Sequence, residues 1–305
     1  MSEDNAEADE VILCCCASCG ITEVDDVKLK KCTACYLVRY CTIKCQREHR
    51  SKHKRACKKR AAELRDELLF KQPESTHLGD CPICMIPLHL DRNKSAMYPC
   101  CSKILCDGCN YANQMREFEA KMKSKCPFCR EPIPETDIKI GEQRMKRIKM
   151  NDPDALKHQG IQQYKKGDYS GAFENYTKAA ELGDADAHNN LSLLYSGKHV
   201  VAKDKGKEIY HLEEAAIAGH PVARYSLGHK EFSRGNAERA VKHFIIAATQ
   251  GCDESIEVLM DLFKGGFVSN EDIAATLRAH QAAVDATKSP QRAAAEEFAR
   301  RNNIK

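Results

Sequence analysis

Ala179-Ala-Glu-Leu-Gly-Asp-Ala-Asp-Ala187 is the stretch on which the fold turns, because it recurs twice. It returns as Ala215-Ala-Ile-Ala-Gly-His-Pro-Val-Ala223 and as Ala247-Ala-Thr-Gln-Gly-Cys-Asp-Glu-Ser255. The central glycines, Gly183, Gly219 and Gly251, are 36 and then 32 residues apart. A period of this length belongs to stacked helix pairs. Small alanines let two helices approach closely, and the glycine takes the left-handed conformation that ends a helix. Asp152-Pro153 and His220-Pro221 put proline at the first helical position, where its missing N–H costs nothing. The pattern predicts an all-α helix-pair solenoid over residues 152–267. Capping helices are expected over 268–305, from Ser269 with Asp272, from Ser289-Pro290 and from the polar run Ala293 to Arg301.

The middle unit reads Ala187-x3-Leu191-x3-Tyr195-x-Gly197 and continues through Val200-x3-Asp204 to Ala215-Ala216. It resembles the Sel-one-like repeat, a relative of the tetratricopeptide repeat. The outer two units are shorter and nearer the tetratricopeptide length. Stacked pairs expose a face that binds peptides or helices. Tyr164, Tyr176, Tyr195, Tyr210 and Tyr225 are expected to pack between helices rather than to contact ligands. Cys252 is expected to be a small buried residue.

The other half of the chain is a different chemistry. Of 18 cysteines, all but Cys252 lie between Cys14 and Cys129. No run approaches the roughly 20 apolar residues that span a bilayer, and the first ten residues carry Glu3, Asp4, Glu7, Asp9 and Glu10 where a secretory signal would be basic. An intracellular protein, cytoplasmic or nuclear, is the expectation, with residues 1–12 a disordered acidic terminus. In a reducing compartment so many cysteines point to metal ligation. The net charge of +4 in a chain that is 30% charged makes no case for nucleic acid.

Residues 13–58 hold Cys16-x2-Cys19, Cys32-x2-Cys35, Cys41-x3-Cys45 and His53-x3-Cys57, four pairs for two tetrahedral zinc sites. Cys14 and Cys15 fall outside this register. With Val38-Arg39-Tyr40-Cys41, Cys45-Gln46, His49 and His53-Lys54-x2-Cys57, the module resembles the MYND zinc finger. That resemblance implies interleaved sites, Cys16, Cys19, Cys41 and Cys45 on one ion and Cys32, Cys35, His53 and Cys57 on the other. It also implies docking of short proline-rich peptides, although Arg50 stands where a tryptophan is frequent. Lys44 to Arg60 carries nine Lys or Arg against Glu48, which reads as a solvated helix face sooner than as a nuclear signal or a phosphate-binding patch. Residues 59–76 read as a helical linker, with Ala61, Leu64, Leu68 and Leu69 at helical spacing and Pro73 as the stop.

Residues 77–135 hold Cys81-x2-Cys84, Cys106-x2-Cys109 and Cys126-x2-Cys129, with the doublet Cys100-Cys101 between the first two pairs. The module resembles a RING finger. The resemblance implies Cys81, Cys84, Cys106 and Cys109 on one zinc, and Cys126, Cys129 and two further ligands on the other. Lys103 occupies the family's histidine position, and an ammonium has no lone pair to give. Three solutions are open: Cys100 and Cys101 both ligate, which needs the backbone to bend between them; His89 supplies the ligand; or the site has three ligands or is empty. RING fingers position the ubiquitin thioester of a conjugating enzyme and contribute no nucleophile. Ile83 and Pro127 match the family's apolar contacts to that enzyme. Arg130 matches the arginine that hydrogen-bonds ubiquitin and its carrier, a task for a planar five-donor fork. The groove aromatic found in many members has no tryptophan to fill it, and Met115 or Phe118 would serve.

After a linker at 136–151, the repeats occupy the rest, which leaves no room for the lysine methyltransferase fold that accompanies some MYND fingers. The expected architecture is mainly α, two small cross-braced zinc modules followed by the solenoid. Four Zn2+ are expected. The expected partners are a ubiquitin-conjugating enzyme and protein or peptide ligands of the finger and the repeats. The expected function is a RING-type ubiquitin ligase, or else a non-enzymatic interaction scaffold with a degenerate RING.

Overall fold

The computed structural model describes residues 15–23, 26–198 and 202–302. The acidic terminus and Cys14 therefore lie outside the described residues, as does Val200 of the long repeat. The chain forms two compact units, one ending at Lys71 and one beginning at Gln72.

In the first unit, β1 (Lys30–Lys31) and β2 (Arg39–Tyr40) pair antiparallel, Lys30 opposite Tyr40. Its core is Cys16, Leu29, Cys32, Cys35, Val38, Tyr40 and Cys45, in which thiols take the place that aliphatic side chains hold elsewhere. Helix α1 (Ile43–Leu69) starts where the Thr42 hydroxyl accepts from the Cys45 N–H at 3.2 Å. It runs unbroken for 27 residues. The last helix of the finger and the expected linker helix are thus one element. No glycine or proline interrupts that span, so nothing in the backbone stops it. Ion pairs one turn apart, such as Arg60 with Glu63 at 3.3 Å, decorate its polar surface.

The second unit begins with a cysteine-rich module. β3 (Ser95–Met97) and β4 (Ile104–Cys106) form a hairpin with Met97 opposite Ile104, and α2 (Asp107–Glu119) follows. Its core is Cys81, Leu88, Tyr98, Leu105, Cys106, Cys109 and Cys126. The stretch read as a linker carries α3 (Asp137–Lys149), capped by the Thr136 hydroxyl and begun by Asp137 at the positive end of the helix dipole.

The helix pairs then follow: α4 (Pro153–Lys165) with α5 (Tyr169–Glu181), α6 (Ala185–Leu193) with α7 (Lys205–Ile217), α8 (Pro221–Ser233) with α9 (Ala237–Thr249). α10 (Asp253–Lys264), α11 (Asn270–Ala286) and α12 (Pro290–Arg301) complete the array. Each repeated motif closes a helix in the same way. Gly183, Gly219 and Gly251 have φ of 88°, 82° and 90°. The next N–H reaches back to an alanine carbonyl, Asp184 to Ala179 at 3.0 Å, His220 to Ala215 at 3.0 Å and Cys252 to Ala247 at 3.2 Å. That same residue opens the following helix, so one turn recurs with three different cap residues: aspartate, histidine and cysteine.

Tyr176 and Tyr195 are buried, Tyr164 and Tyr225 pack against the two repeat cores, and Tyr210 is exposed. Cys252 is buried, with the Ser255 hydroxyl 3.2 Å from its sulfur.

Two glycines inside helices are explained by aromatic neighbours. A Cβ on Gly160 would lie 2.6 Å from the Tyr176 ring, and one on Gly228 would lie 2.6 Å from the Phe244 ring. A mid-helix glycine costs about 1 kcal/mol relative to alanine, so each position gives up helix propensity for ring contact. Gly228→Ala is expected to destabilise the array by about 1–3 kcal/mol, because overpacking exceeds the propensity gain. Urea unfolding monitored by far-ultraviolet circular dichroism checks this, and a rise in stability would contradict it.

Candidate metal centres

Every cysteine and histidine pair named from spacing is brought into one of four clusters. Cys16, Cys19, Cys41 and Cys45 meet, as do Cys32, Cys35, His53 and Cys57; the second module brings together Cys81, Cys84, Cys106 and Cys109, and Cys100, Cys101, Cys126 and Cys129. In each set all ligand atoms lie within 4.8 Å of one another. Individual edges are 3.5 Å for Cys19 to Cys41, 3.8 Å for Cys32 to Cys57, 3.8 Å for Cys84 to Cys106 and 3.4 Å for Cys100 to Cys129. A tetrahedron with zinc–sulfur arms of about 2.3 Å has edges of roughly 3.8 Å. A disulfide would need about 2.0 Å, and none is present among the described residues. The clusters therefore fit zinc in both size and donor set. His53 offers Nε2, 3.2 Å from the Cys35 sulfur, and burial followed by the nearby His49 holds it below the ordinary histidine pKa, in the neutral form a metal requires.

Both pairs of clusters interleave along the chain, so an ion in each would brace its module across two centres.

The doublet question is answered by the backbone. Tyr98 N–H reaches the Lys103 carbonyl at 3.0 Å, while the Tyr98 carbonyl takes the N–H groups of Cys101 at 3.3 Å and Ser102 at 2.8 Å. Ser102 has φ of 57°, so the turn folds tightly enough to send both thiols the same way. Lys103 is exposed, its ammonium 5.9 Å from the centre of the Phe128 ring. His89 is in none of the clusters, and its Nδ1 accepts from the Asp91 N–H at 2.9 Å. Cys15 is likewise outside them, opposite Thr22 in an isolated bridge.

One geometric device is shared by the pairs at Cys16, Cys32, Cys81 and Cys126, and sequence reading missed it. The residue after the second cysteine is left-handed and donates its N–H to the carbonyl of the first. Gly20, Tyr36, Met85 and Arg130 have φ of 77°, 58°, 56° and 66°, with bonds of 2.8, 2.9, 2.8 and 2.9 Å. Only Gly20 announces the conformation by its identity. A left-handed non-glycine residue is costly and persists where the surroundings over-determine it, as the convergence of two thiols on one cluster does here. Ile83 lies within one such knuckle and is 44% exposed; Pro127 is half-buried in another, and Arg130 ends it, exposed. Met85 and Phe128, which spacing did not single out, are exposed beside them, and Phe118 is exposed on α2 while Met115 is half-buried.

A fifth group, His77, Asp186 and His220, also brings potential ligand atoms together, and hydrogen bonding accounts for it without an ion. The Nε2 atoms of His77 and His220 each stand 3.2 Å from Asp186 Oδ1, the two rings stacked at 4.1 Å. His220 Nδ1 accepts the Ala223 N–H at 3.2 Å as the cap of α8, which requires a lone pair there. The proton of the neutral ring is therefore on Nε2, directed at the carboxylate, and leaves no lone pair for an ion. Lys157 Nζ, 3.1 Å from Asp186 Oδ2, and Arg92 on Oδ1 supply the compensating charge. The group fastens the second cysteine module to the repeat turns, as do the bonds from His77 N–H to the Gly219 carbonyl, 3.0 Å, and from Gln250 to the Ser75 carbonyl, 3.3 Å.

The chain is thus a mainly helical protein with cysteine-rich, zinc-compatible modules preceding a helix-pair repeat array. A family model for the MYND finger matches residues 16–57. Among solved structures, a Sel1 repeat protein from Oxalobacter formigenes is similar at 27% identity, over 39% of this chain and 96% of that one, with a TM-score of 0.36. The protective antigen c5321 of uropathogenic Escherichia coli, described as displaying an SLR fold, is similar at 21% identity over 56% of this chain and 36% of its own, with a TM-score of 0.42. No curated protein matches the chain. None of the helices in the described residues is long and apolar enough to cross a membrane.

Proposed function

We propose that each of the four clusters holds one Zn2+, and that the second module acts as a RING-type activator of ubiquitin transfer. In this reading the repeats and the first finger select the protein that receives ubiquitin. The observation that carries it is the meeting of Cys100 and Cys101 with Cys126 and Cys129, which supplies a full ligand set despite Lys103. Ile83 and Pro127 form the apolar contact to the conjugating enzyme. Arg130 donates hydrogen bonds to ubiquitin and its carrier from the end of the adjoining knuckle. The attacking amine and the thioester belong to the substrate and the conjugating enzyme, so the module contributes position alone.

The test is discharge of ubiquitin from loaded conjugating enzymes to free lysine, over a panel, with the full chain and its Arg130→Gly variant. Glycine is the suitable replacement because it accepts the left-handed backbone at that position. The wild type is expected to stimulate discharge, and the variant to lose about tenfold or more while keeping its zinc, the worth of one or two charge-assisted bonds. Equal rates for the wild type and Arg130→Gly would remove that arginine from the mechanism.

A second reading, a non-enzymatic interaction scaffold, is favoured by one observation. Helix α12 lies against α2, with Phe298 5.0 Å from Tyr111, which limits what α2 can offer a conjugating enzyme. Absence of stimulation by the wild type across the whole panel would select it.

A further inference from the structure

We propose that α12 is a retention cap for the metal centre at Cys81, Cys84, Cys106 and Cys109, and that Arg292 is the counter-cation of that centre. The proposal rests on zinc occupancy and is independent of ligase activity.

Four thiolates around one Zn2+ leave two negative charges in excess, which a buried centre must offset with N–H donors or cations. Backbone donors meet part of this need: Cys106 N–H lies 3.5 Å from the Cys81 sulfur and Cys109 N–H 3.4 Å from the Cys106 sulfur. The remaining donor comes from the far end of the chain. Arg292 Nη2 lies 3.8 Å from the Cys84 sulfur and 3.1 Å from the Ile86 carbonyl, and Nη1 is 2.7 Å from the Pro87 carbonyl. A further 2.7 Å bond runs to the carbonyl of Thr287, the residue that closes α11. The side chain is buried, 7% exposed, so the charge is set against the knuckle and not in solvent.

The other ligand pair is covered by the same turn of helix. Gly108 sits between Cys106 and Cys109, and a Cβ there would lie 2.7 Å from the Arg292 backbone nitrogen and 2.9 Å from the Gln291 carbonyl carbon. The glycine is therefore the gap through which α12 reaches the centre. Lys94 with Glu296 at 2.7 Å, and Tyr111 with Phe298, hold the rest of the helix down. Both halves of the ligand set thus adjoin the first turn of α12; Cys81, Cys106 and Cys109 are buried and Cys84 is half-buried, so the turn restricts the access of a chelator or oxidant to this centre.

The experiment uses the full zinc-loaded chain, challenged with a chromogenic chelator and, separately, with limiting N-ethylmaleimide, and reads alkylation cysteine by cysteine by peptide mass spectrometry. In Arg292→Gln, modification of Cys81, Cys84, Cys106 and Cys109 is expected to accelerate about tenfold, the lower end of losses seen when a group supporting a metal ligand is removed. The rates at Cys16 and Cys32 of the first module are the internal reference and are expected to stay unchanged. Arg292→Lys, which keeps a charge but not the fork, is expected to fall between. Phe298→Ala keeps the guanidinium while loosening the helix, and its effect is expected to be smaller than that of Arg292→Gln. Equal rates in the wild type and Arg292→Gln overturn the proposal. Phe298→Ala matching Arg292→Gln overturns the counter-cation assignment, since loss of docking would then account for everything. A wild-type chain whose four cysteines react at the rate of unligated thiols before any challenge overturns the premise of zinc occupancy itself.

Discussion

Replacing Asp186 with alanine is expected to cost about 3–5 kcal/mol, the range for removing one partner of a buried charge pair. Asp186 accepts from Lys157 at 3.1 Å, from His77 and His220 at 3.2 Å each, and from Arg92. Burial would raise its pKa, but the bonds from His220 and His77, followed by the charge of Lys157, hold it well below the ordinary carboxylate value. The Lys157 side chain is only 6% exposed; burial disfavours its ammonium, and Asp186, Asp184 and Asp154 more than compensate. Without Asp186, one buried ammonium loses a partner and two buried imidazole N–H groups lose their acceptor. The variant should show lost amide protection at the turns around Gly183 and Gly219 and a lower urea midpoint for residues 72–305. Asp285→Ala, which removes an exposed pair with Lys288, should change stability by less than about 1 kcal/mol and serves as control. A similarly small effect at Asp186 would mean that the cluster does not fasten the module.

Buried and half-buried histidines, one of them in this cluster, set an acid limb. His220 is held down to about 4, burial outweighing the opposing bond to Asp186. His158 and His211, about half-buried, are also pushed down to about 4, chiefly by burial. A histidine whose folded pKa lies below the unfolded value of about 6.5 takes up its proton more readily when unfolded. Its contribution is present above that value and is lost as the pH falls towards 4. For His220 alone the loss is on the order of 3 kcal/mol. Asp186 adds its own loss only below the ordinary carboxylate value. Stability should therefore begin to fall near pH 6 and not near pH 4. His220→Asn, which keeps a cap-competent side chain, should make the limb shallower without abolishing it, since His158 and His211 remain; a limb of unchanged steepness would clear His220 of the effect.

The repeats and the ligand pairs were legible because each is a local pattern. Alanine doublets before glycine, proline after a capping residue and cysteines three apart all act within one turn of chain. The cysteine knuckles were legible as positions but not as conformations, since Tyr36, Met85 and Arg130 adopt φ values that their identities disfavour and the convergence of the thiols requires. Contacts across the chain had no local signal. His77 and Asp186 are 109 residues apart, and Arg292 reaches Cys84 across 208. The continuity of α1 was hidden for a different reason: the candidate ligands His53 and Cys57 invite a domain boundary, while the backbone, free of glycine and proline, continues through them.

Cys101→Ser and Cys100→Ser are each expected to remove one zinc ion from the chain's complement and to unfold the hairpin of β3 and β4. A serine hydroxyl is a harder and less acidic donor than a thiolate, and a structural zinc site supplies on the order of 10 kcal/mol to the fold that forms it. Both sulfurs contribute, since Cys101 lies 3.8 Å from Cys126 and Cys100 lies 3.4 Å from Cys129. Cys15→Ser is expected to leave the complement unchanged, because that thiol belongs to none of the clusters. Lys103→His is also expected to leave it unchanged, since the tetrahedron is already full and the lysine side chain lies over Phe128. Zinc per chain, measured by mass spectrometry under non-denaturing conditions, distinguishes these cases directly. Retention of the full complement by Cys100→Ser would return the fourth ligand to another residue. A complement already one short in the wild type, restored by Lys103→His, would mean that the turn at Ser102 fails to hold both thiols and that the second module is degenerate.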